Sequence, residues 1–262
     1  KLTSSVKKLQ LSFTKEQENF LFTLEDFASK NSSDSKSNYS SEVNFEKLDF
    51  IVNELENSVA FSVAGAALSA SSEVKEKLAK IASKSTIEEM KLLSKDLEIK
   101  ISKLELAAMI SGLEAVSYEA LLEIVSKINK SGDMMDSLLV DEMQKSLGTL
   151  LSHGLLFNVE EFSVQNIALK NDKSLGGFDL KSEMKLLADP DFMKKLELSP
   201  LLLASNIEAN SKIKLSKKLY EFSLEDGVKE LAKAYIKEDA DSYVFDITYK
   251  DAQVTINNKP LQ

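Results

Sequence analysis

The sequence predicts an α+β protein: a long curved antiparallel sheet, open like a half-barrel, with amphipathic helices packed on one face. Three observations predict it. Apolar residues alternate with polar ones over long stretches, most clearly Leu155, Phe157 and Val159, then Phe162 and Val164, then Phe178 and Leu180. Such period-two runs are strands with one apolar and one wet face. Two segments instead carry apolar stripes at helical spacing, Leu113–Ile128 and Leu138–Leu151. With 3 Pro and 8 Gly in 262 residues, no Pro- or Gly-rich linker divides the chain. A single elongated domain, 1–262, is expected, with a division into 1–110 and 111–262 as the alternative. A chain of this length buries roughly three-quarters of its unfolded surface.

The strands begin with Leu9, Leu11 and Phe13, and continue with Phe20, Phe22 and Leu24 after a turn near Thr14–Glu18. Ser29–Ser41 is polar and low in complexity, which predicts an exposed loop or hairpin tip. Val43 and Phe45 resume the alternation, and Leu48, Phe50 and Val52 continue it in shifted phase. That shift at Glu46–Lys47 reads as a bulge. Val59, Phe61 and Val63 make a further strand, with the small residues after Val63 open to a helix start. Val74, Leu78, Ile81 and Ala82 have helical spacing. Thr86 and Glu89 form a capping box for a second short helix carrying Met90 and Leu93. Leu97, Ile99, Ile101, Leu104 and Leu106 return to a strand.

After the two helices and the central strands, Asp189 caps a short helix with Pro190 at its first position. Leu201–Leu215 reads as a long strand kinked near Ser205. Val228–Ile236 reads as a last amphipathic helix. Tyr243–Tyr249 and Val254–Ile256 form a closing hairpin turned at Asp251–Ala252.

Composition excludes several chemistries. The net charge is −9, and all 33 basic residues are Lys. Neither a positive field nor a guanidinium fork is present to attract nucleic acid. There is no Cys, so thiol catalysis, disulfides and thiolate metal sites are absent. His153, the only histidine, stands at a helix-to-strand junction without a nucleophile or orienting acid in any motif. Asp133, Asp136, Asp141 and Glu142 lack the spacing of a calcium loop and read as acids near a helix start. Gly176–Gly177 lacks the context of a phosphate loop. No enzymatic activity, cofactor or metal is therefore expected. The candidate functional feature is an apolar sheet face, Phe157, Val159, Phe162, Val164, Phe178 and Leu180, able to take a lipid-like ligand or a protein partner if helices leave it uncovered.

Three stretches carry a resemblance: Lys103–Val125, Leu147–Leu187 and the ending YKDAQVTINNKPL, Tyr249–Leu261. Over roughly the last 160 residues the chain resembles a bacterial envelope family of unknown function typified by the enterobacterial protein YdgA. Ala252 and Asn258 stand where that family's hairpin usually has Gly. The resemblance implies periplasmic or envelope residence and an N-terminal anchor or signal removed ahead of Lys1, and it transfers no catalytic residue. The style of the sequence is also similar to surface lipoproteins of epsilon-proteobacteria, some of them adhesins. The expectation is a non-enzymatic envelope protein, with a cell-surface adhesin as the alternative.

Overall fold

A computed structural model of the chain describes residues 1–15, 18–54, 57–131 and 137–261. It begins with six long strands in a row: β1 (Leu2–Lys15), β2 (Glu18–Ser33), β3 (Tyr39–Glu54), β4 (Asn57–Lys75), β5 (Leu78–Leu93) and β6 (Glu98–Glu114). Two helices follow, α1 (Ala115–Ser131) and α2 (Ser137–Ser152). Next come β7 (Leu155–Leu169) and β8 (Lys173–Leu186), then α3 (Phe192–Leu198) and a 3-10 turn, Pro200–Asn206. The rest is β9 (Ile207–Ser216), α4 (Lys217–Ser223), α5 (Asp226–Lys233), β10 (Lys237–Asp239), β11 (Ser242–Lys250), β12 (Gln253–Ile256) and β13 (Lys259–Pro260). The thirteen described strands form one antiparallel sheet. Each long strand pairs with its sequence neighbours, β9 pairs with β11, and β10 is an extra strand on β11. The sheet does not close into a barrel. Positions 110 and 111 both lie inside β6, so the sheet runs unbroken through them.

The strands are long, up to 19 residues in β4, or about 60 Å. They do not run flat. Along one transverse line a single rung is missing from each of five ladders: Lys7–Asp26, Glu46–Gly65, Gly65–Glu88, Glu88–Lys103 and Lys103–Gln165. Between β2 and β3 the gap takes in Asp26–Glu46 and Phe27–Phe45. On this line every second strand carries a residue with positive φ: Asp26 (+49°), Gly65 (+62°), Lys103 (+50°) and, on β8, Gly176 (+76°). The left-handed conformation costs an L-residue about 1–2 kcal/mol, so Lys103 is held there by the sheet around it.

This crease explains the phase shift in the sequence. The apolar positions flanking it are three residues apart: Leu24 and Phe27, Phe45 and Leu48, Val63 and Ala66, Ile87 and Met90, Ile101 and Leu104, Val164 and Ile167. The structure therefore has two apolar rows running across the strands. One is Leu9, Leu24, Leu48, Val63, Met90, Ile101 and Ile167. The other reaches from Val6 and Phe27, at the edge, through Phe45, Ala66, Ile87, Leu104, Val164 and Phe178 to Leu215 and Tyr243. The expected bulge at Glu46–Lys47 is not one: the register of β3 is the same on both sides, and the phase shift there comes from the missing rungs.

Helices pack on one half of the sheet. Tyr118 of α1 and Leu150 of α2 form a core with Ala79 and Leu113, ringed by Val74, Ile81, Ile110 and Leu155. All of these strand residues lie on the same side of the crease. On the second row, Tyr220 of α4 meets Tyr243 edge-on, with ring centroids 4.8 Å apart. We call this the helix-bearing half. The other half of β1–β6, from the crease to the β1–β2, β3–β4 and β5–β6 turns, is the bare half.

Several expectations change. Residues 74–93 are not helical: they are the end of β4 and all of β5. The helical spacing of Val74, Leu78 and Ile81 comes from a two-residue turn, Glu76 and Lys77 both at positive φ, followed by a bulge between Ala79 and Ile81. That turn type requires positive φ at both positions and usually carries Asn or Gly. Ile87 and Met90 are three apart because they flank the crease. Leu201 and Leu203 belong to the 3-10 turn, and the strand starts only at Ile207. The last helix ends at Lys233, short of Ile236. The Ser29–Ser41 stretch is mostly the ends of β2 and β3. The helix expected after Asp189 starts at Phe192, two residues beyond Pro190, and its N-cap is Asp191 with no side-chain cap bond.

Candidate functional site

The six expected face residues sit on β7 and β8 in the helix-bearing half. Phe162 pairs with Leu180, and Val164 with Phe178. Phe162 and Phe178 meet edge-to-face at 5.0 Å, a preferred aromatic geometry. Phe157 and Val159 fall in line with Phe162 because the ladder shifts between Val159 and Phe162. Val164 is buried and the other five are partly shielded. Glu161 occupies that bulge. Its carboxyl lies 3.1 Å from Lys181 Nζ, which holds it below the usual carboxylate range. Burial first, then the negative Glu161, pushes neighbouring Asp179 up.

A further exposed apolar surface lies on the bare half. Leu11 is 54% exposed, Phe13 63% and Leu93 50%, and Leu9, Phe50, Val59 and Leu97 are exposed as well. Phe20 and Phe50 stack edge-on at 5.0 Å beside them. Alternation in the sequence marks Leu9, Leu11, Phe13, Phe50 and Val59 as a strand face, but alternation does not say which part of a face the helices reach.

The polar line of the crease is itself charged. Lys8 Nζ bonds Glu25 Oε1 at 2.7 Å. Glu46 shares a hydrogen bond with Asp26, and this contact with its like charge raises the Glu46 carboxyl above its ordinary value. Glu89 is held low by Lys100 and then Lys91, each 2.7 Å away.

His153 is exposed, and its Nδ1 lies 2.8 Å from the Thr149 carbonyl oxygen. Asp133 and Asp136 lie outside the described residues, while Asp141 and Glu142 are exposed on α2. Among the described residues, no group of three or more His, Asp or Glu is placed to hold a metal. Asp189 is a buried tie point: it accepts from the Asp191 N–H at 2.9 Å, Lys195 Nζ at 2.6 Å and Asn206 Nδ2 at 2.7 Å. The polar Ser29–Ser41 stretch is anchored at its tip. Ser37 is buried and donates to Glu119 of α1 at 2.7 Å. An open cleft of about 500 Å³ lies between the start of β8 and α4, lined by Lys173, Leu175, Lys217, Lys218 and Phe222 among others.

The family model described as "Bacterial protein of unknown function (DUF945)" matches residues 1–262. The chain belongs to this family. The DUF945 match takes in the whole chain, beyond the C-terminal 160 residues in which the sequence shows its resemblance. No curated protein and no solved structure matches this DUF945 chain. Among its described residues, no helix is long and apolar enough to cross a membrane.

Proposed function

We propose that this DUF945 protein is a non-enzymatic envelope protein of the YdgA type, resident in the periplasm or on the envelope, that holds a lipid-like ligand on its sheet. The observation that carries the reading is the unequal cover of the two halves. The helix-bearing half has a packed core around Tyr118 and Leu150. One face of the bare half presents Leu9, Leu11, Phe13, Phe50 and Val59 to solvent. Scattered exposed apolar residues are ordinary, but a contiguous set on one sheet region marks a surface that binds something.

Acyl chains suit this surface better than a polar ligand. The apolar row beside the crease has no polar member, and its outer neighbours are charged side chains held in ion pairs such as Lys8–Glu25. A protein partner would use the same surface. The cell-surface adhesin reading rests on the polar stretch Ser29–Ser41 and the solvated strand faces; the tip of that stretch bonds α1 through Ser37.

Native mass spectrometry after incubation with envelope lipid extract tests the proposal. Bound lipid mass is expected in the native protein and should fall sharply in Leu11→Asp/Phe13→Asp. A protein that stays empty at every lipid concentration, with the variant identical to wild type, removes the lipid reading.

A further inference from the structure

We propose that the crease is a hinge, about which the bare half of the sheet swings relative to the helix-bearing half. The inference goes beyond ligand binding and holds whether or not a ligand is present. Three features of the structure support it. First, the missing rungs are collinear: one level is lost in each successive ladder from β1 to β7, two between β2 and β3, while the rungs on either side are made. Irregularities scattered over a sheet fix a local twist, whereas a straight line of them leaves two plates able to rotate together. Second, the line's own side chains reach solvent. Lys7, Asp26, Glu46, Glu88, Lys103 and Gln165 are all exposed. Third, the helix-packed residues of β4–β7, namely Val74, Ala79, Ile81, Ile110, Leu113 and Leu155, all lie to one side of it. The core around α1 and α2 therefore holds one plate and leaves the other to the sheet alone. Left-handed residues on alternate strands supply the pivots, and two of them, Asp26 and Lys103, are not glycine.

The chain has no Cys, so introduced pairs can be spin-labelled without background. Asn44→Cys with Asn53→Cys places labels on β3 on opposite sides of the crease. Asn44→Cys with Glu183→Cys places both on the helix-bearing half as a control. Pulsed dipolar spectroscopy on the full chain should give a cross-crease distance distribution roughly twice as wide as the control. Asp26→Gly and Lys103→Gly, which keep the left-handed geometry but free the backbone, should widen it further without altering the control. Equal widths, unmoved by the glycines, would show a rigid bend and overturn the hinge. Equal broadening of both pairs would show a generally pliant sheet and overturn it too.

Discussion

The side chain of Glu88 lies over the bare Cα of Gly65 on the neighbouring strand: a Cβ built on Gly65 would stand 2.6 Å from Glu88 Cγ. Gly65 also has φ +62°. Gly65→Ala therefore meets both a left-handed backbone and a clash, and should lower stability by roughly 2 kcal/mol in urea denaturation. Adding Glu88→Ala removes the nearest atom and should restore part of the loss. An additive double mutant would show that the contact does not matter.

The tie between α1 and the hairpin ends runs through hydroxyls. Ser72 Oγ donates to the Ser37 carbonyl at 2.7 Å and lies 2.8 Å from Tyr118 Oη. Tyr118→Phe keeps the buried ring and loses one hydrogen bond, so about 1 kcal/mol should disappear. Amide exchange should quicken around Ser37 and Ser72 while β7 and β8 are unchanged.

Phe178→Asp places a carboxylate beside Phe162 and Leu215. Lost burial and an unpaired charge should cost several kcal/mol, about 3 or more, read as a large fall in melting temperature. Glu161→Gln, at the bulge beside Lys181, should stay within roughly half a kcal/mol. In the same variant the Asp179 carboxyl should titrate lower, by NMR, because a neighbouring negative charge is gone.

Asp189 gives the fold an acid-sensitive joint. The Lys195 ammonium foremost, then the Asp191 N–H and the Asn206 amide, hold its carboxyl below the ordinary value against the opposing effect of burial. Ionised Asp189 therefore contributes stability that is present above the ordinary aspartate range and lost as pH falls through its lowered folded value. Urea midpoints measured from neutral pH downward should fall less steeply in Asp189→Asn than in wild type. Parallel curves would place the acid sensitivity elsewhere.

Leu155–Leu186 and Tyr243–Ile256 were legible as strands because two-residue alternation runs between their turns and bulges and matches a half-wet sheet. The α1 and α2 stripes were legible because residues three and four apart meet on one helix face. Residues 74–93 were not, because a spacing of three has two physical sources. It arises on a helix, and it also arises where a strand crosses the crease, as at Ile87 and Met90. Lys103 and Glu76 carry no local signal for positive φ; Lys103 is held there by neighbouring strands, while Glu76 lies in the tight β4–β5 turn. The apolar face was likewise legible as a face, through Phe162, Val164 and Phe178. Whether a given part of it is covered depends on where α1, α2 and α4 dock. Composition and alternation by themselves determined a Cys-free, acidic, antiparallel sheet protein with helices against it. Only the tertiary structure decided that the strands crease along one line and that Leu11 and Phe13 stay bare, since both follow from contacts between residues far apart in sequence.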